Sequence, residues 1–200
     1  PRYRDSSLAE YYRLRRPRDA ADLFPEARTS SPRSSAAAME RFPPDTHLTP
    51  WLREDPARRV DRTRRLLRGE FPRVADPGNP AFGPIGDVQG EEEYRRLVSV
   101  YRSIRRKGYL LPRDRYDDIR GVLLRREEEV RFVVTTGKHR VAALAVLGTE
   151  AAAAALRIPV VVDYRDIPAW PQVQNGLWTP GAAAAYVDRL FRGVPWYEVV

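Results

Sequence analysis

The most regular pattern in the chain lies between residues 94 and 104, where Tyr94, Leu97, Val98, Tyr101 and Ile104 recur at helical spacing. Arg95, Arg96, Arg102 and Arg105 fall off that stripe, so the segment predicts an amphipathic helix ending near Gly108. Ile119 to Leu124 predicts a short strand, and Val130, Phe132 and Val134 alternate as strand residues do. Arg125-Arg126-Glu127-Glu128-Glu129 would be the hairpin turn between them. After Gly137 the period becomes helical again through Val141, Leu144, Ala145 and Leu147 and stops at Gly148. The alanine-rich run Thr149 to Leu156 predicts a further helix, Ile158 to Tyr164 a strand, and Pro180 to Phe191 a last helix with Thr179 as N-cap. This order predicts a small mixed α/β (α+β) domain over residues 81–200.

The first 80 residues read differently. Residues 1 to about 50 alternate charge, serine, alanine and proline, which predicts an extended or partly helical arm. Within it Leu8, Tyr11, Tyr12 and Leu14 fit a short amphipathic helix that docks on the main body or on a second subunit, so a homodimer is compatible with the pattern. A helix is expected from Asp55-Pro56 to Gly69, with Asp55 as N-cap, Pro56 at the first helical position and Gly69 as the stop. Arginines 58, 59, 62, 64, 65 and 68 surround its thin apolar stripe of Val60, Leu66 and Leu67. Ala75-Asp76-Pro77-Gly78-Asn79-Pro80 is dense in breakers and marks the expected boundary between a Pro/Arg-rich extension, 1–80, and the domain, 81–200.

Two hundred residues with 42% hydrophobic and 31% charged content are enough for one domain-sized core plus an appendage. No apolar stretch approaches the roughly 18 residues of a membrane span, and Pro1 to Arg18 is too charged for a signal-peptide core. The expectation is a cytoplasmic protein with no membrane partner. The absence of cysteine excludes disulfides, thiolate metal sites and a cysteine nucleophile, and with only His47 and His139 a histidine-rich metal cage is excluded too. The net charge is +8, and because Lys107 and Lys138 are the only lysines, the positive charge is nearly all arginine. Arginine's planar fork suits phosphate or carboxylate. The excess is spread along the chain, which favours solvated arginine faces over nucleic-acid binding.

One stretch concentrates candidate chemistry. Phe132-Val133-Val134-Thr135-Thr136-Gly137-Lys138-His139-Arg140-Val141 places a strand, a glycine turn and three basic side chains at the start of a helix. Helix N–H groups and the positive end of the dipole attract anions, and glycine lets the backbone approach closely. Lys138, His139 and Arg140 would add charge-assisted bonds. An ordinary strand-to-helix turn with exposed basic residues fits the same residues. Elsewhere the structural readings lead. Glu127-Glu128-Glu129 reads as a solvated turn, Asp87, Glu91, Glu92 and Glu93 as helix-start acids, and Asp163 and Asp166 as surface acids rather than magnesium ligands. Trp170, Trp178 and Trp196 read as core closure rather than base stacking, and His47 as incidental.

Together these residues resemble the ParB/sulfiredoxin superfamily, whose members share a helix ending in a serine-isoleucine segment, a strand, and a glycine-x-x-arginine turn opening a helix. The matching elements are residues 97–108, containing Ser103-Ile104, then Val130 to Val134, then Gly137-Lys138-His139-Arg140, with Leu147-Gly148 and Ile158-Pro159-Val160 in order. Members of this superfamily bind CTP as partition clamps, use ATP to repair a sulfinic acid, or phosphorylate free serine. The resemblance implies a nucleoside di- or triphosphate (ATP, ADP or CTP) with magnesium at the glycine turn, held by Gly137, His139 and Arg140, with Lys138 at a variable position. Sulfiredoxins have cysteine where Lys138 stands, so their chemistry is excluded. Partition proteins usually have glutamate there and add a helix-turn-helix domain, for which the 37 residues after Asp163 are expected to be too few. The serine-kinase type and stand-alone relatives remain, which implies phosphoryl transfer to a small hydroxyl-bearing metabolite. Asp87 or Glu91 is then expected as the catalytic carboxylate, on position in the chain alone. Two other classes stay open. One is a DNA- or RNA-binding module using the arginine-rich helix and N-terminal arm. The other is a non-catalytic ligand sensor whose proline-rich arm grips a partner.

Overall fold

A computed structural model describes residues 2–29, 35–44, 46–109, 119–150, 152 and 154–194, with the backbone alone for 29 and 155–160. In chain order the elements are α1 (Ser7–Leu14), α2 (Pro25–Thr29), α3 (Ser35–Met39), α4 (Pro56–Glu70), α5 (Asp87–Lys107), β1 (Arg120–Arg126), β2 (Glu129–Thr136), α6 (Lys138–Val146), β3 (Ala155–Asp163), α7 (Pro171–Gln174) and α8 (Pro180–Arg192). The protein is mixed α/β, with a small three-stranded mixed sheet. Among the described residues no helix is long and apolar enough to cross a membrane. The chain groups into two compact units, one of Pro1–Glu91 with Arg165–Val200 and one of Glu92–Tyr164.

The first unit is helical, and its core joins the two ends of the chain. The segment expected as an arm carries Leu23, Phe24, Ala27 and Met39 essentially without solvent exposure, which makes it core. Small alanines at 20, 21, 27 and 36 let short helices pack closely despite the flanking prolines and charges. Phe24 meets Trp178 and Tyr186 edge-on at 5.0 and 5.5 Å, and Trp51 meets Trp170 at 5.5 Å. Trp178 Nε1 donates to the Leu48 carbonyl at 2.8 Å, which satisfies its polar end inside the core. Trp170 and Trp178 thus close a core, while Trp196 lies outside the described residues. His47 stacks on Phe82 at 4.9 Å and 14°, a packing contact.

The breaker-rich segment is held rather than free. Gln89, 1% exposed, donates to the Gly78 carbonyl at 2.6 Å and accepts the Gly78 N–H at 3.0 Å. The Tyr11 and Tyr12 hydroxyls of α1 donate to the carbonyls of Ala81 and Pro80, so α1 docks within its own chain. Its buried residues are Ala9 and Tyr12, whereas Leu14 is exposed. In α4 the expected cap is present, with Asp55 accepting the Arg58 N–H at 3.0 Å. The helix runs one residue past Gly69, and of the predicted stripe only Val60 and Leu67 are buried; Leu66 is 63% exposed.

The second unit holds the sheet, in the order β2-β1-β3. β1 pairs antiparallel with β2 and parallel with β3, the β2-α6-β3 connection turning the chain so that β3 runs with β1. The β1-β2 hairpin is tighter than expected: Arg126 pairs with Glu129, leaving only Glu127 and Glu128 in the turn. An ion pair at 2.6 Å between Arg126 and Glu129 closes it. Glu127 takes a φ of 53°, a region that favours glycine or asparagine. Glu127→Gly is therefore expected to stabilise the fold by about 0.5–1 kcal/mol in urea unfolding.

The helix expected over Thr149–Leu156 is absent from the described residues of that run. Gly148, at φ 68°, ends α6, with its N–H on the Ala145 carbonyl and that of Thr149 on the Leu144 carbonyl. Ala155 and Leu156 instead pair with Arg120 and Gly121 in the sheet, so the ladder overrides alanine's helix propensity. The α5 stripe of Tyr94, Leu97, Val98, Tyr101 and Ile104 is half-buried.

Candidate functional site

β2 ends at Thr136 and α6 begins at Lys138, so Gly137 alone forms the joint. Its φ of 85° and ψ of 23° are left-handed, a conformation that costs a residue with a Cβ about 1–2 kcal/mol. The Gly137 carbonyl accepts the N–H groups of Arg140 and Val141 at 3.0 and 3.1 Å, which starts the helix. Glycine has no side chain with which to cap that end. The first turn of α6 therefore combines an uncapped positive dipole end with three basic side chains, the arrangement expected to attract an anion.

The same unit places a buried acid against this turn. Glu93, 2% exposed, accepts from Arg96 Nη1 at 3.0 Å on one carboxylate oxygen. Its other oxygen lies 2.9 Å from His139 Nε2, while the His139 side chain is 37% exposed. The buried charge is thus met by a cation on one oxygen and an imidazole on the other. With Nε2 on Glu93, Nδ1 of His139 makes no hydrogen bond to any described residue. Glu93 was expected to be a helix-start acid, and its place in the α5 register was the missed signal. It precedes Leu97 by four residues and Ile104 by eleven, which aligns a carboxylate with the apolar stripe. The NMR signals of the two histidines report on this contact: Glu93→Gln should move the His139 imidazole nitrogens and leave those of His47 in place.

Lys138 remains exposed as a residue, yet desolvation by the surrounding protein lowers its ammonium to about 8. Its solvent access offsets part of that depression. Arg140 is half-buried. An apolar cavity of about 240 Å³ lies between β2 and α6, lined among others by Phe132, Val134, Val141 and Leu144. Val134 and Val141 flank the glycine turn by three and four residues, so the cavity adjoins it.

Asp87 and Glu91 are exposed on the first turns of α5 and belong to the first unit. The Tyr3 hydroxyl is raised in pKa, by burial first and then by the Asp87 carboxylate. Asp163 is not a surface acid: it is 5% exposed and accepts from Arg125 Nε at 2.7 Å across the β1-β3 pair. Asp166 is exposed. Among the described residues no group of three or more His, Asp or Glu side chains is placed to hold a metal ion. Comparison with protein-family models, with curated proteins and with solved structures found no match.

Proposed function

We propose that this protein is a ParB/sulfiredoxin-like nucleotide-binding protein of the cytoplasm that holds the phosphates of ATP, ADP or CTP at the Gly137 turn. The observation that carries the reading is the left-handed Gly137 between β2 and α6, with Lys138, His139 and Arg140 on the helix's first turn and His139 anchored by Glu93. The adjoining apolar cavity supports it, since a nucleoside offers an apolar base face beside its charged phosphates. Magnesium would enter on the nucleotide phosphates, a mode that needs few protein carboxylates.

Calorimetric titration with each nucleotide and magnesium tests the reading. Lys138 adds a pH signature with a fixed sign. Desolvation lowers its ammonium from the ordinary lysine value, so in the free protein part of it is neutral in the mildly alkaline range. A bound phosphate favours the charged form and raises the pKa again. Binding at pH 8–8.5 should therefore take up protons, visible as a dependence of the apparent enthalpy on the buffer's ionisation enthalpy, and affinity should fall as pH rises through 8 to 9.

Phosphoryl transfer to a small hydroxyl-bearing metabolite extends the proposal, with Asp87 or Glu91 accepting the hydroxyl proton. Under that reading Asp87→Asn or Glu91→Gln loses transfer and keeps nucleotide affinity; loss of affinity in both would assign them to binding instead.

A further inference from the structure

We infer that the outer face of α4 is an interface for duplex DNA, gripping its phosphate backbone independently of the Gly137 site. Only Pro56, Val60 and Leu67 of this helix are buried, and at about 100° per residue they lie within about 40° of one another. A narrow stripe thus holds the helix to its unit. On the opposite side Arg58, Arg62 and Arg65 point within about 40° of the outward direction, Arg68 lies about 80° from it, and Arg64 stands about 120° from it, on the flank of the helix. Arg58, Arg62, Arg64, Arg65 and Arg68 are exposed, and the one acid among them is Asp61.

Pairing separates these arginines from others in the fold. Arg28, Arg96, Arg125, Arg126 and Arg189 each hold a carboxylate. On α4, Arg59 and Arg62 reach Glu54 at 3.6 and 2.5 Å. The guanidinium groups of Arg58, Arg64, Arg65 and Arg68 have no hydrogen bond, ion pair or ring contact with any described residue. Four cations held on one rigid helix, over about 15 Å, keep their full capacity for bidentate phosphate contacts.

Charge complementarity selects the partner. DNA presents one phosphate per roughly 1.7 Å of axis, and its major groove, about 12 Å wide, admits an α-helix. The major groove of duplex RNA is too narrow for one. A lipid surface needs a broad outward apolar face, and α4 turns Val60 and Leu67 inward, leaving Leu66 as its one exposed large apolar residue.

The test is fluorescence anisotropy of the full chain with a labelled 20-base-pair DNA duplex between 50 and 200 mM salt. The parent is compared with Arg58→Gln/Arg64→Gln/Arg65→Gln/Arg68→Gln and with an equal-charge control, Arg4→Gln/Arg13→Gln/Arg16→Gln/Arg73→Gln. All eight positions are exposed, and circular dichroism checks that both variants stay folded. The α4 variant should lose about 3–4 units of salt slope and at least tenfold in affinity at 50 mM salt, with the control close to the parent. No binding by the parent, equal losses in both variants, or preference for an RNA duplex or phosphatidylserine vesicles overturns the inference.

Discussion

Arg189→Ala is expected to destabilise the first unit by about 3–5 kcal/mol, the largest single effect in the fold. Arg189 of α8 is 4% exposed and donates through Nε to Glu26 of α2, itself 8% exposed. Its guanidinium also lies 5.1 Å above the Tyr186 ring, whose hydroxyl is raised in pKa by burial. Removing the arginine takes a cation away from a carboxylate that is itself buried. The pair spans 163 positions in sequence and ties the first part of the chain to its last described helix. Replacing both partners, as Glu26→Leu/Arg189→Leu, should recover most of the loss, because no charge is then left buried. Urea unfolding of the four proteins in that cycle measures the coupling; additive losses in the two single variants would show that the pair contributes nothing beyond packing.

Arg140→Ala is expected to weaken nucleotide binding roughly 10–100-fold, the loss of one or two charge-assisted bonds to phosphate at about 1.4 kcal/mol per factor of ten. Arg140 lies on the first turn of α6, whose buried residues are Ala143 and Leu144, and circular dichroism checks that the variant stays folded. The Glu93 contacts to His139 and Arg96 do not involve the Arg140 side chain. Equal affinity in parent and variant would remove Arg140 from the site.

Local signals made much of the fold readable. The caps at Asp55 and Thr179 and the stops at Gly108 and Gly148 are single-residue devices with a direct physical cause, and α4, α5, α6 and α8 follow them. The β1-β2 hairpin was readable from alternation alone. What escaped depends on distant partners. Nothing local to Thr149–Leu156 shows that Ala155 will pair with Arg120, and nothing near Glu26 points to Arg189. For the same reason the first 50 residues read as an arm: their small apolar residues gain meaning only against Trp178 and Tyr186. The glycine turn itself was legible as strand, glycine and basic residues. Glu93 was hidden by its neighbours, because Glu91-Glu92-Glu93 reads as one acidic helix start until the third member is aligned with Leu97.

The most direct test of the proposed site is calorimetric titration of the full chain with ATP, ADP and CTP, each with magnesium, repeated on Arg140→Ala. The account predicts saturable binding of at least one nucleotide, proton uptake near pH 8 from Lys138, and a 10–100-fold loss in the variant. No binding of any of the three, or undiminished binding by Arg140→Ala, would contradict a phosphate site at Gly137.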